Sequence, residues 1–216
     1  MPSSGSPTLV LVPTELEERR LAELGGLGLG LVARCGFGPL AAAALTAELL
    51  ARLRPRRVLL VGIAGSYRPE VFPIGTALEF ARVRLDGVGA GRGAAFASPT
   101  QLGFPQATGP DGVALGEELA LDAAPGAPAL VTVCAASGSE AEAEERRARH
   151  RDASAEDMEG FGVALACARA GVPLAIVRGL SNAVGERDGR AWRVREALEA
   201  ARLRARALLA RWEEEA

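Results

Sequence analysis

Short apolar runs alternate along the chain with segments whose apolar residues recur every three and four positions. The apolar runs, bounded by proline, glycine or charged residues, predict buried strands at 8–13, 57–67, 129–135 and 174–182. The recurring segments predict helices at 14–24, 40–53, 139–151, 154–173 and 191–216. Less regular strands are expected within 28–39 and 76–85. Strands that alternate with helices indicate an α/β sheet with helices on both faces.

We predict a single domain over 1–216, because a chain of 216 residues suits one α/β unit with its own core. Thr14 is a candidate N-cap, and Ser154 with Asp157 forms a candidate capping box. The glycine-rich segment 87–110 predicts a long loop, and loops of that length are more often functional than idle. Because ligands of α/β sheets collect where strands end, the strand ends are the place to look for chemistry.

Composition narrows the class of partner. A formal net charge of −2 and 4% aromatic residues offer neither a basic surface nor stacking platforms for nucleic acid, and nothing that attracts acidic membranes. The apolar runs are too short to span a bilayer, and the N-terminus lacks the pattern of a secretory signal. We therefore expect a cytoplasmic protein whose partner is a small molecule.

With three cysteines and one histidine, the chain has few residues from which a metal site or a Ser-His-Asp triad could be formed. Cys35, Cys134 and Cys167 are far apart and odd in number, so we expect buried thiols rather than a disulfide. The chain's one histidine, His150, lies in an arginine-rich predicted helix, where we expect it to be solvated. No spacing typical of metal ligands occurs, and we expect no metal and no cofactor.

Three polar residues stand where predicted strands and helices meet. Glu17 follows the first strand, and Asn182 ends the last one. Glu159 begins a helix beside the small residues Gly160 and Gly162. Structural explanations exist, because acids favour helix N-termini and asparagine forms turns. The functional alternatives are a close approach of a ligand to Glu159 and recognition of a flat heterocycle by the Asn182 amide. The residues alone leave both open.

Two glycine-rich segments are similar to phosphate-binding motifs without matching them. VGIAGSY at 61–67 lacks the lysine and spacing of a P-loop. GVGAGRG at 87–93 has neither a clear strand before it nor a helix after it, as a dinucleotide fingerprint requires. Neither motif is predicted to bind phosphate.

Five segments, taken in order, resemble the nucleoside phosphorylase and nucleosidase superfamily. They are PTELEE, CGFGPLAAAAL, LLVGIAGSY, AEDMEGFGVALACARAGVP and RGLSN, and the middle of the chain from about 84 to 128 matches least. Within the superfamily the pattern is similar to methylthioadenosine/S-adenosylhomocysteine nucleosidases and more similar to futalosine hydrolases. The resemblance implies a three-layer α/β/α fold around a mixed, mainly parallel sheet, assembled as a homodimer or larger.

The resemblance also implies cleavage of an N-ribosidic bond through an oxocarbenium-like transition state. Glu17 matches the glutamate that activates water, and a carboxylate there stabilises positive charge that develops on the sugar. Glu159 matches the carboxylate that holds the ribose 2′- and 3′-hydroxyls, with Met158 beneath the sugar. Ala64 and Gly65 resemble the backbone that lines the base pocket.

Two residues depart from the pattern of the methylthioadenosine nucleosidases. Asn182 replaces an aspartate that protonates N7 of adenine, and an amide can donate to N7 or to a 6-oxo group but cannot supply a proton. This favours hypoxanthine as the leaving base, and therefore futalosine, an intermediate of an alternative menaquinone pathway. Ile63 replaces a serine beside the sugar and removes a potential anion ligand. Water is the expected acceptor of the ribosyl group. Arg34 and Arg68, near the glycine-rich turns, leave phosphate as an alternative acceptor.

Three alternatives remain at this point. An adenine nucleosidase acting on aminodeoxyfutalosine or methylthioadenosine would keep the reaction and change the base. A purine nucleoside phosphorylase would use phosphate instead of water. A non-enzymatic nucleoside-binding protein on the same fold would have no need for an acid at the position of Glu17.

Overall fold

The computed structural model describes residues 7–124 and 126–215, within which a nine-stranded mixed sheet forms the centre. The strands are β1 (Thr8–Val12), β2 (Leu31–Arg34), β3 (Arg57–Ser66), β4 (Ala77–Glu79), β5 (Arg82–Leu85), β6 (Ala107–Thr108), β7 (Ala114–Leu115), β8 (Glu118–Ala120), β9 (Ala129–Thr132), β10 (Ala153–Asp157) and β11 (Leu174–Ala183). The helices are α1 (Glu15–Glu23), α2 (Pro39–Leu53), α3 (Pro99–Leu102), α4 (Glu140–Arg149), α5 (Gly160–Ala170) and α6 (Val194–Glu214). Strands β6 and β7 form a separate two-stranded ribbon.

The strand order of the main sheet is β2-β1-β3-β10-β9-β5-β8, with β11 paired to β3 and β4. Pairs among β1, β2, β3 and β11 are parallel, as are β9–β10 and β5–β9. The pairs β3–β10, β4–β11 and β5–β8 are antiparallel. The long strand β3 is the hub, because its final residues pair with β10 on one side and β11 on the other. The predicted mixed, mainly parallel sheet is confirmed.

Helices cover both faces of the sheet, as the alternation within β1 requires. Leu9 and Leu11 pack with α2 and α5 on one face. Val10 and Val12 pack with α1 and α6 on the other, where Trp212 closes the cluster. The result is the predicted three-layer α/β/α arrangement.

Two glycines set the distances between layers. A Cβ at Gly162 of α5 would lie 2.2 Å from the Pro39 carbonyl oxygen of α2, and a Cβ at Gly179 of β11 would lie 1.9 Å from the Ala197 carbonyl oxygen of α6. Atoms cannot approach that closely, so a hydrogen at each position lets the backbones touch. Both contacts hold helices next to the strand ends described below.

Several predictions from the sequence are wrong in detail. Segment 76–85 is two strands, because β4 pairs with β11 and β5 with β9. Ser154 lies inside β10 rather than at a helix N-cap, and α5 begins at Gly160. This segment forms a strand rather than a helix start because all of Ala153–Asp157 is buried between β3 and β9.

Three further expectations are corrected. His150 is half-buried rather than solvated, with Nε2 2.9 Å from Asp86 Oδ1. Cys134 is exposed, whereas Cys35 and Cys167 are buried as predicted. Segment 87–110 contains α3 and β6 instead of one unstructured loop. Within the described ranges, no helix has the length and apolar character needed to cross a membrane.

Candidate active site

A cavity of about 330 Å³ opens where β3, β10 and β11 end and α1 and α5 begin. This is where an α/β sheet is expected to bind a ligand. Its walls contain every candidate site residue from the sequence: Glu17, Ile63, Ala64, Gly65, Met158, Glu159 and Asn182. The structure thus brings together residues that lie up to 165 positions apart in a chain of 216.

Glu17 enters the cavity from the first turn of α1. Thr14 caps this helix, and its hydroxyl donates to Glu17 Oε2 at 2.6 Å, while the Ile63 backbone N–H donates to Oε1 at 3.0 Å. These contacts hold the carboxylate against the end of β3, where it is 5% exposed. The neighbouring acid Glu15 is 78% exposed at its side chain and faces Arg34. Burial therefore separates Glu17 from the other acids of the helix.

Glu159 lies at the N-cap of α5, but its side chain does not cap the helix. Its Oε1 accepts from the Gly38 N–H at 3.1 Å, and its Oε2 accepts from Arg178 Nη2 at 3.2 Å. The pKa of Glu159 is raised to about 7, mainly by burial and also by the charges of Asp157 and Glu17, while Arg178 and the Gly38 N–H oppose the shift. The carboxyl group therefore changes protonation state near neutral pH.

Arg178 projects from β11 and is completely buried. Asp157 Oδ2 accepts from its Nε at 3.0 Å and also from its Nη2, and Thr132 and Gly160 supply two more donors to Asp157. Asp157 thus satisfies most of the arginine's charge, and Glu159 shares the remainder. Burial opposes the charge on Arg178, but its carboxylate partners raise the arginine pKa.

Asn182 follows an irregularity in the pairing of β11 with β3, between Leu180 and Asn182. Its Oδ1 accepts from the Ser181 hydroxyl at 2.7 Å, and its Nδ2 donates to the Ala183 carbonyl at 2.8 Å. These bonds orient the amide. A primary amide has two N–H donors and two acceptor lone pairs, so one of each remains for a ligand.

The rest of the cavity wall is mainly apolar. Ile63, Ala64 and Gly65 line it along the end of β3, and Met158 lines it from the segment before α5. A Cβ at Gly65 would lie 3.0 Å from Val184 Cγ2 and 3.4 Å from Asn182 Nδ2, so the glycine lets both side chains lie close to the strand. Polar groups at a few points in an apolar cavity are typical of small-molecule sites.

Sequence reasoning missed several residues of the wall. Trp192 lines the cavity, with the Arg187 guanidinium 5.3 Å from the centre of its ring and Phe37 also in the wall. Glu156 also lines the cavity. Arg178 lies behind the wall, where it donates to Glu159. An available signal was the presence of charged residues inside apolar strands, since such side chains are almost never buried without a partner.

The two arginines that were candidates for binding phosphate, Arg34 and Arg68, do not line the cavity. Arg34 pairs with Glu15 and Glu18 on the surface, and Arg68 lies over Phe72 at 5.4 Å. Arg187 is the one arginine among the described residues that line the cavity, and it is exposed. The arrangement offers carboxylates to a developing positive charge and an amide to a developing negative charge, without an anion-binding pair.

The chain is similar to known proteins in both sequence and fold. A family model described as the phosphorylase superfamily matches residues 22–212. Futalosine hydrolase of Streptomyces coelicolor is 41% identical over 172 residues, which cover 76% of this chain and 72% of that protein. A second futalosine hydrolase, from Acidothermus cellulolyticus, is 42% identical over 69 residues, covering 32% of this chain and 28% of that protein.

Solved structures give the same fold. A 5′-methylthioadenosine/S-adenosylhomocysteine nucleosidase from Neisseria meningitidis, in complex with methylthio-immucillin-A, matches with a TM-score of 0.73 at 19% identity, covering 94% of this chain and 98% of that one. Futalosine hydrolase of Helicobacter pylori matches with a TM-score of 0.70 at 18% identity, covering 95% and 99%. The family model over residues 22–212 and the 41% identical relative establish that the chain belongs to the phosphorylase superfamily.

Proposed function

We propose that this chain hydrolyses the N-ribosidic bond of futalosine and releases hypoxanthine and dehypoxanthine futalosine. The proposal rests on one observation, the order in which Glu17 and Asn182 meet the end of β3. Glu17 is bonded to the backbone of Ile63, and Asn182 pairs with Gly65 two residues further on. A sugar beside Ile63 and a base above Gly65 would therefore each meet the group that its chemistry needs.

Glu17 has the role of general base. As the bond between C1′ and N9 breaks, its electron pair leaves with the base and positive charge spreads over C1′ and the ring oxygen. The carboxylate stabilises that charge and takes a proton from the water that adds to C1′. Asn182 donates to N7 or to the 6-oxo group, where the departing base becomes more negative. Solvent returns the proton to the base.

Glu159 has the role of binding the ribose hydroxyls. An ionised carboxylate accepts hydrogen bonds from two neighbouring hydroxyls and so fixes the direction in which C1′ faces the water. The contacts from Gly38 and Arg178 hold this carboxylate in place before the substrate arrives. Met158 supplies apolar contact beneath the sugar.

The mouth of the cavity suits the carboxyphenyl tail of futalosine. Phe37, Leu16 and Trp192 provide apolar surface there, and the exposed Arg187 provides a positive charge. An aromatic ring would pack on the apolar side chains and its carboxylate would meet the guanidinium.

Assembly into a dimer or larger homo-oligomer is the second part of what we propose. Leu16 and Phe37 are exposed at the cavity mouth, and Leu40 of α2, three residues from Phe37, is 84% exposed. Clustered apolar side chains on a surface are typical of protein interfaces. An interface there would cover the mouth of the cavity.

The test is release of free base by the purified protein, followed by chromatography. Futalosine, aminodeoxyfutalosine and methylthioadenosine are each supplied with and without phosphate. We expect rapid, phosphate-independent release of hypoxanthine from futalosine. Release of adenine alone would contradict the choice of base, dependence on phosphate would indicate a phosphorylase, and absence of release would indicate a binding protein.

A further inference from the structure

Gly65 has a polar neighbour on each side in the sheet. It pairs with Glu156 of β10 and with Asn182 of β11. Residues paired across adjacent strands project to the same face, so the two side chains rise on the same side of the sheet. A Cβ at Gly65 would lie 3.0 Å from Val184 Cγ2 and 3.4 Å from Asn182 Nδ2, so these two side chains border the cavity space beside the glycine. Two strand spacings put the flanking Cα atoms about 10 Å apart.

Glu156 is held rigidly at the edge of this space, where it is 6% exposed and lines the cavity. Its Oε2 accepts from the Tyr67 hydroxyl at 2.8 Å, the Ser137 hydroxyl at 2.8 Å and Arg146 Nη1 at 3.1 Å. Its Oε1 accepts one bond among the described residues, from the Ser137 backbone N–H at 2.8 Å. Because a carboxylate oxygen has two lone pairs, Oε1 can accept one more hydrogen bond.

A network of charged and polar side chains lies behind Glu156. Arg146 lies between Glu156 and Asp86, with its Nε 3.3 Å from Asp86 Oδ2. Burial and the neighbouring Glu156 charge raise the pKa of Tyr67, so its hydroxyl remains a proton donor to that carboxylate. A buried carboxylate with this many donors has a role other than filling space, because an apolar residue would close the wall at lower cost.

We propose that Glu156 determines base specificity by accepting the N1–H of a 6-oxopurine, an inference that rests on the proposed nucleosidase function. Hypoxanthine carries a hydrogen on N1, whereas N1 of adenine carries a lone pair that a carboxylate would repel. Asn182 contacts N7 and the 6-oxo group, and Glu156 contacts N1–H, which lies on the other side of the 6-oxo group from N7. The two residues that flank Gly65 thus recognise the two sides of the 6-oxo group of one purine.

The first test measures selectivity in the Glu156→Gln variant. We expect the ratio of kcat/KM for futalosine to kcat/KM for aminodeoxyfutalosine to fall about 10- to 100-fold, as for loss of a charge-assisted hydrogen bond. The matched control is Glu142→Gln, an exposed glutamate of α4 outside the cavity wall, for which no change is expected. An unchanged ratio in a folded Glu156→Gln variant, with hydrolysis of futalosine intact, would overturn this inference and leave the proposed function standing.

The second test uses the unaltered protein and so does not depend on the variant's folding. Calorimetry compares the binding of free hypoxanthine, 1-methylhypoxanthine and adenine. We expect hypoxanthine to bind at least about 10-fold more tightly than either, because the other two cannot donate from N1. Equal affinities would reject a role for Glu156 in recognising N1–H, even in a protein that hydrolyses no nucleoside.

Discussion

Three buried carboxylates and one buried arginine determine the electrostatics of the cavity. Asp157 makes the short ion pair with Arg178, and this leaves Glu159 with only part of the arginine's compensation. Glu17 receives neutral donors from Thr14 and Ile63 instead. Burial, only partly opposed by Arg178, raises the pKa of Glu159.

The pKa of Glu159 predicts how activity depends on pH. Because the pKa is raised to about 7, the group is protonated at acidic pH and loses the charge that accepts the ribose hydroxyls. We expect kcat/KM for futalosine to rise with pH between 5.5 and 8.5, with a midpoint near the pKa of the free enzyme. In Glu159→Gln this rise should be absent. A flat profile in the unaltered protein would contradict the assignment.

Removal of the Glu17 charge predicts loss of the chemical step. Glu17→Gln keeps the shape of the side chain and an oxygen for the Ile63 N–H, but removes the base, so kcat should fall by about 10²–10⁴-fold. Glu18→Gln, in the same helix turn and paired with Arg34 outside the cavity wall, is the matched control and should retain full activity. Full activity in Glu17→Gln would show that another group activates water.

Replacement of the Asn182 amide by an acid predicts a change of preferred base. Asn182→Asp can protonate N7, which assists the departure of adenine but gives no donor to a 6-oxo group when ionised. The ratio of kcat/KM for adenine nucleosides to that for futalosine should therefore rise, and Ser181→Ala controls for loss of the local hydrogen bond at 2.7 Å. An unchanged ratio would remove Asn182 from base recognition.

At the scale of elements, the approach of α6 to β11 depends on Gly179. The 1.9 Å separation that a Cβ would have from the Ala197 carbonyl forces the helix or the strand to shift. Gly179→Ala should lower Tm by about 2–12 °C, from an overpacking cost of about 1–3 kcal/mol in a chain of this size. Gly189→Ala is the control, because a Cβ there meets nothing within 4 Å. Equal Tm values in thermal unfolding would contradict this packing.

Elements with regular patterns could be predicted from the sequence, and those defined by distant partners could not. The apolar run 57–67 and the spaced apolar residues of 40–53 identify β3 and α2 closely. The segment Ala153–Asp157 contains Ser, Glu and Asp, so its local pattern favours a helix start. It is a strand because β3 and β9 pair with it, and no local signal carries that information.

The same limit applies to the site. Glu17, Glu159 and Asn182 stand next to recognisable segment ends, which made them candidates, and the family resemblance gave each its expected role. Glu156 enters the cavity wall only because antiparallel pairing places it opposite Gly65. The partners of a strand are set by the whole sheet, which is why this residue emerges from the structure.

At the scale of the whole molecule, the exposed apolar side chains at the cavity mouth predict self-association. Leu40→Glu places a charge in the proposed interface, so sedimentation velocity should show a smaller species than for the unaltered protein. Leu203→Glu, on α6 and also exposed, is the matched control and should leave the sedimentation coefficient unchanged. A monomer in the unaltered protein would contradict the proposed assembly.

The burial of Arg178 links catalysis to the maturation of the protein. Its charge is compensated only when Asp157 at the end of β10 and Arg178 in β11 have both joined β3. A chain that assembles its sheet in another register would leave an uncompensated cation inside, at a cost of about 3–5 kcal/mol. The sheet pairing that compensates Arg178 also holds Glu159, the arginine's second partner, at the cavity wall. We expect substitutions at this ion pair to reduce the amount of folded protein as well as turnover.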